Sequence, residues 1–187
     1  MDADVQEMLD HHRIRQTLQD YCFACDRADE LAMAQLYVED SWDDHGVVRA
    51  PGREYAEVMT ARLLQNSRSI SHHLGQSTIR VDGDTAGAET YYIAVMVTVD
   101  DDGREICNQM GGRFIDRLVR TDGRWLIKHR RIVRDWGISL PVEHDWTLVA
   151  GLPDGARSGD DPAFEVLGRR HNGFRPDFAG RAAGDGG

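Results

Sequence analysis

The hydrophobic period of this chain changes once, near Ile70, and that change restricts the fold more than any other feature. Before it, apolar residues recur at helical spacing. Val5, Met8, Leu9, Ile14, Leu18, Cys22 and Cys25 follow i, i+3/i+4 steps and predict a first helix over 5–25. Asp29 ahead of "ELAMAQLYV" reads as the N-cap of a second helix. "DSWDDHGVVRAPG" reads as a strand or irregular turn segment, and "REYAEVMTARLLQ" as a third helix. After Ile70 the period is two, over four runs at 70–81, 86–99, 104–119 and 124–135. "DGD", "DDDG" and "TDG" separate them as hairpin signals. Helices first and an antiparallel meander second is an α+β layout, with helices on one face of the sheet. Gly111 and Gly112 fall inside a strand and predict a bulge or bend.

A chain of 187 residues favours one domain. Residues 1–150 form the expected body, and 151–187 an irregular tail that holds 9 of the 19 glycines and 3 of the 5 prolines. The net charge of −10 speaks against nucleic acid or an anionic membrane as partner. No apolar run approaches the ~20 residues of a membrane span, and "MDADVQEMLDHHR" lacks the character of a signal peptide. Cys22, Cys25 and Cys107 are an odd number, which suggests no disulfide framework. The C-x-x-C pair lies in a helical pattern and reads as two small buried residues. A cytoplasmic protein is the expectation. Phosphate-loop, nucleophile-elbow and H-E-x-x-H motifs do not occur in the sequence.

Several titratable groups stand where apolar residues are expected. Asp26 ends the first helix at the edge of its apolar face, at the negative end of the helix dipole. A carboxylate there is costly unless a cation or hydrogen-bond donor stands opposite. The strand "SISHHLGQSTIRV" offers one: Ile79 and Val81 share parity with His73, so alternation points His73 toward the helices and His72 away, although Leu74 departs from the pattern. Tyr21 lies on the apolar stripe, and His45 sits in "WDDHG". Asp26, His45 and His73 also compose a two-histidine, one-carboxylate set, but their spacing carries no local ligand signature, and no metal or cofactor is expected.

Over residues 8 to 136 the chain resembles the SnoaL-like group of the nuclear transport factor 2-like superfamily, which includes scytalone dehydratase, bile acid 7α-dehydratase and hexachlorocyclohexane dehydrochlorinase. "IRQTLQDYCFACDRAD", "HHLGQSTIRVDGDTAGAETYY" and "GGRFIDRLVRTDGRWLIKHRRIVRDW" carry the resemblance. It implies a cone-shaped α+β barrel with N-terminal helices packed on a curved, mainly antiparallel sheet. It also implies a catalytic Asp26–His73 pair, with Tyr21 in the first helix and Arg130 on the last strand. His45 stands where the dehydratases carry a further tyrosine, a departure from the pattern. The implied activity is cofactor-independent acid–base lyase chemistry, dehydratase-like, or isomerisation, on a small apolar or polycyclic substrate. The pocket is expected to include Phe23, Tyr91 or Tyr92 (with Tyr92 assigned), Met96 and Phe114. A non-catalytic binder, or a structural subunit resembling the β subunit of ring-hydroxylating dioxygenases, is the alternative. Apolar residues of both parities at 91–99, among them Ile93, Val95 and Val97, predict a homo-oligomer, trimer or dimer.

Overall fold

The computed structural model describes residues 2–142 and 151–167. The first helix, α1 (Ala3–Asp26), starts where the Asp2 side chain accepts the Asp4 amide at 2.9 Å. Its stripe of Ile14, Leu18, Tyr21, Cys22 and Cys25 is buried. It stops at Ala28, whose φ of 53° breaks the helical path. The Ala28 and Asp29 amides turn back to the carbonyls of Cys25 and Ala24, which satisfies the helix end. Asp29 then caps α2 (Glu30–Ala34) through the Ala32 amide at 2.9 Å.

This second helix is shorter than its sequence suggests. Tyr37 and Val38, which favour extended backbone, open strand β1 (Tyr37–Asp44) instead of extending the helix. Pairing fixes that choice, since the Ile127 amide donates to the Leu36 carbonyl at 2.8 Å. The short β2 (Arg49–Ala50) follows, then α3 (Gly52–Asn66).

Four long strands complete the sheet: β3 (Ser69–Asp82), β4 (Thr85–Val99), β5 (Glu105–Thr121) and β6 (Arg124–Pro141). Their order is β2-β1-β6-β5-β4-β3. The meander is antiparallel as expected, while β1 adds a parallel neighbour to β6. The α+β class, with N-terminal helices on a curved and mostly antiparallel sheet, is therefore the observed one.

Two register breaks shape the sheet. Between Leu74 and Ser77, β3 carries one residue more than β4, because Leu74 faces Tyr92 and Ser77 faces Thr90. The second lies at Gly111 and Gly112, which pair with Trp136 and Arg134 across an extra residue of β6. A side chain at either glycine has no room: a Cβ on Gly111 would strike the Trp136 indole, and one on Gly112 the Val133 carbonyl. The expected bend is present.

Residues 151–167 lie against the body and include the short helix α4 (Ala163–Leu167). Arg157 donates to the Leu63 carbonyl at 2.8 Å and to Ser67, closing the C-terminal end of α3. Asp161 pairs with Arg27 at 3.3 Å. The boundary expected at residue 150 adjoins 143–150, which lie outside the described residues, as do 168–187.

At its other end α1 is held by a buried carboxylate. Asp10 accepts from the Trp125 indole at 2.9 Å, from Arg120 at 2.9 and 3.2 Å, and from Gln6 at 3.0 Å. Burial alone raises the Asp10 pKa, but the hydrogen bonds from Gln6 and Trp125 and the Arg120 charge outweigh it and hold the carboxyl below its ordinary value. A lowered folded-state pKa means a stabilisation that is complete above the unfolded value of about 4 and lost as pH falls through the folded one. Asp10→Asn is therefore expected to lower the melting temperature at neutral pH, with a gap to the parent that narrows below about pH 4. Thermal denaturation across that range checks it, and a gap independent of pH counts against the charge as the cause.

Candidate active site

The last residue of α1 meets the start of β3. Asp26 accepts the His72 ring Nδ1–H on Oδ1 at 2.6 Å and the His72 backbone N–H on Oδ2 at 3.0 Å. One carboxylate thus grips both the strand and its side chain. The expected partner, His73, is corrected to His72: His73 points outward, is exposed, and has Ser71 Oγ at 3.3 Å from its Nε2. The reason is the extra residue between Leu74 and Ser77. Parity counted back from Ile79 and Val81 flips there, so Ile70, His72 and Leu74 share the inner face with Ser77 and Ile79.

With Nδ1 committed to Asp26, His72 Nε2 is the ring nitrogen turned away from the carboxylate. The ring lies 6.3 Å from Tyr92 and 6.4 Å from Phe114, and those two stack on each other at 4.4 Å. Tyr92 is buried and Tyr91 is exposed on the outer face, so the inward tyrosine is Tyr92. Met96 lies on the inner face opposite Ile70. Phe23 stands elsewhere: its ring meets Phe164 at 6.1 Å and lies under Arg27, on the side of α1 that receives the C-terminal segment.

Beneath Phe114 lies a buried ion pair. Arg130 donates to Asp116 through Nε at 2.7 Å and Nη2 at 2.9 Å, and its guanidinium lies over the rings of Tyr21 (4.1 Å) and Phe114 (4.3 Å). Burial works against its charge, but Asp116 prevails and holds the Arg130 pKa well above its ordinary value. Arg131, one residue on, is exposed.

Tyr21 leads to a second group. Its hydroxyl is 3.3 Å from Tyr55 Oη and 3.4 Å from His45 Nε2. His45 Nδ1 bonds Asp43 Oδ1, and Tyr37 donates to Asp43 Oδ2. The His45 ring stacks on Tyr55 at 4.4 Å. Burial, reinforced by nearby negative groups, pushes the Tyr21, Tyr37 and Tyr55 phenols well above their ordinary value, so they remain hydrogen-bond donors. Asp43, Tyr37, Tyr55 and Asp116 were not singled out by the sequence; the one signal for Asp43 was its i, i+2 spacing to His45.

A cavity of about 1020 Å³ opens beside Asp26, walled by Ile70, Ser71 and Val97 and by Arg157 and Asp161 of the C-terminal segment; His72, Tyr21, Tyr92 and Phe114 are not among its lining residues. Burial pushes the Cys22 thiol up to about 12 and that of Cys25 well above its ordinary value, which leaves both unreactive packing groups. Among the described residues, no group of three histidine, cysteine or acidic side chains is arranged to hold a metal, and no helix is long and apolar enough to cross a membrane.

A curved, mostly antiparallel sheet backed by N-terminal helices is the α+β fold of the nuclear transport factor 2-like class. Within that class, the chain belongs to the SnoaL-like domain family, whose profile matches residues 6–131. The uncharacterized protein Rv2910c of Mycobacterium tuberculosis (strain ATCC 25618 / H37Rv) is 29% identical over 128 residues, 67% of this chain and 86% of that protein. Solved structures share the fold, and two of them illustrate the likeness. A "Putative Scytalone Dehydratase" from Novosphingobium aromaticivorans DSM 12444 superposes with a TM-score of 0.64 at 21% identity, over 73% of this chain and 91% of that one. The hexachlorocyclohexane dehydrochlorinase LinA-type3 of Novosphingobium barchaimii LL02 gives 0.64 at 14% identity, over 76% and 96%.

The buried pair can be tested apart from chemistry. Arg130→Met leaves Asp116 buried without its cation and is expected to cost about 3–5 kcal/mol of unfolding free energy. Adding Asp116→Leu is expected to restore part of that loss. Urea denaturation reads both, and a double variant no more stable than Arg130→Met would show that the stranded carboxylate is not the cause.

Proposed function

We propose that this protein is a cofactor-independent acid–base lyase of dehydratase type, or an isomerase, acting on a small apolar or polycyclic substrate. The observation that carries the reading is the Asp26–His72 contact, which commits Nδ1 and leaves Nε2 beside the stacked Tyr92 and Phe114 rings. Nε2 takes a proton from a carbon next to a carbonyl or leaving group, and Asp26 stabilises the imidazolium that forms. Tyr21 donates to the developing oxyanion or leaving oxygen, with His45 beside it. Arg130 Nη1 and the Tyr92 hydroxyl are buried with no hydrogen-bond partner among the described residues, and they supply further donors to a bound substrate. The names of two structural neighbours, a "Putative Scytalone Dehydratase" and a dehydrochlorinase, support the same reaction type. Free, buried thiols fit a reducing compartment, in keeping with a cytoplasmic location.

Two probes test this. β-Tetralone in deuterium oxide reports removal of a carbon-bound proton by deuterium uptake. A β-hydroxytetralone reports elimination, since loss of water gives a fluorescent naphthol. His72→Ala is expected to slow both by ~10²–10⁴-fold. Asp26→Asn should lower turnover with the fold intact, and the double variant should be little worse than His72→Ala, because the two act in one step. His73→Ala is the control and stays within a few-fold of the parent. Exchange and elimination that both survive His72→Ala would leave the chain as a binding or structural module, the alternative reading.

The outer face of the sheet exposes Ile93, Trp136, Ile138 and Leu140, with Val95 and Val97 half-buried among them. We take this face as the contact between copies of the chain, in a dimer or trimer. Light scattering at micromolar concentration is expected to show that assembly, and Ile138→Glu to weaken it; a monomeric parent would refute it.

A further inference from the structure

The molecule holds a second carboxylate–imidazole pair that the dyad does not use. Asp43 is fully buried and both its oxygens accept: Oδ1 from His45 Nδ1, Oδ2 from the Tyr37 hydroxyl. That fixes the His45 tautomer with its proton on Nδ1 and turns Nε2 to the Tyr21 hydroxyl at 3.4 Å. Stacking on Tyr55 holds the plane of the ring. His45 lies just beyond the end of β1, in the turn before β2, beside the exposed Val47, and 17% of its side chain reaches solvent. Tyr21 is 1% exposed. The chain of contacts therefore runs from solvent to His45, to Tyr21, and on to Phe114, whose ring is 5.9 Å from Tyr21 and 6.4 Å from His72.

A phenol has one proton, and its oxygen here has two neighbours besides any substrate. While His45 is neutral, Nε2 and the Tyr55 oxygen compete with a leaving group for the one Tyr21 proton. Once His45 is protonated, Nε2–H donates to the Tyr21 oxygen and the O–H is free to point into the site. From this geometry we propose that His45, oriented by Asp43, is the proton source behind Tyr21, so that the protein uses two carboxylate–imidazole pairs in one elimination. This rests on the proposed lyase reading. The carbon-bound proton passes to His72 Nε2 and the C–H electron pair becomes the new double bond. The C–O bond breaks with its electrons on oxygen, which takes the Tyr21 proton and leaves as water. Tyr21 is refilled from His45 Nε2–H, His45 from solvent, and His72 returns its proton to solvent.

A leaving group that departs as a stable anion does not need this relay, and that difference is the test. His45→Gln and Tyr21→Phe are expected to slow loss of water from a β-hydroxytetralone by ~10²-fold or more, but loss of acetate from the β-acetoxy analogue by only a few-fold. Asp43→Asn should show the same split to a lesser degree. Equal slowing with both leaving groups would overturn the proposal and make His45 a structural residue, as would no slowing with either. Failure of the dyad reading looks different: the parent would not exchange the β-tetralone proton. In that event the relay is judged without substrate, by nitrogen NMR of the histidine rings in the full chain. The neutral His45 must carry its proton on Nδ1, and Tyr21→Phe must shift its signal but not that of His72. An Nε2–H tautomer, or a His45 indifferent to Tyr21→Phe, would refute it.

Discussion

The candidate site is built on a cation that cannot be neutralised. An arginine side chain stays charged inside a protein, so Arg130, fully buried, requires a buried anion, and Asp116 supplies it in bidentate geometry from the neighbouring strand. The guanidinium then acts as a flat support for two rings, Tyr21 from α1 and Phe114 from β5. Helix and sheet are thereby keyed to one plane. Both proposed proton-handling groups are measured from it: His72 reaches it through Phe114, and His45 through Tyr21.

The same pattern, a charge stationed to fix a neighbour, recurs. Asp26 meets the unfavourable end of its own helix and is compensated by a backbone amide and an imidazole of β3. Asp43 is compensated by a phenol and a second imidazole. Asp161, drawn from the C-terminal segment, holds Arg27, the immediate neighbour of Asp26, against Phe23. Each carboxylate has a donor set of its own, so the two imidazoles do not compete for an anion.

Much of this was readable in the sequence because periodicity and turn chemistry are local. The α1 stripe, the Asp29 cap, the four long strands and the bend at Gly111 and Gly112 follow from residue type alone. What failed was counting across a break. Ile70 and Leu74 lie on one parity, Ile79 and Val81 on the other, with Gly75 between them. Two apolar sets out of phase about a glycine are the mark of an inserted residue, and reading them so selects His72 over His73. The β1–β6 pairing was hidden for a different reason. A parallel contact between residues so distant in sequence leaves no turn signal, and Tyr37 fits an amphipathic helix as well as a strand. Arg130, Tyr92 and Phe114 were placed inward by resemblance or pattern, whereas Phe23 was not, because an aromatic beside the stripe can serve a neighbouring segment as readily as the core.

The helix α1 is fastened at two points, Asp10 on the Trp125–Arg120 end of the sheet and Asp26 on β3, and between them it has no slack. At 1.5 Å per residue the span is about 24 Å, and it functions as a ruler. Adding or removing one residue within it turns the far carboxylate by about 100° and moves it by about 1.5 Å, which carries Asp26 out of reach of His72. Exchanges along its exposed side leave that distance unchanged. In this chain the number of residues between the two aspartates therefore matters to the site independently of which residues they are.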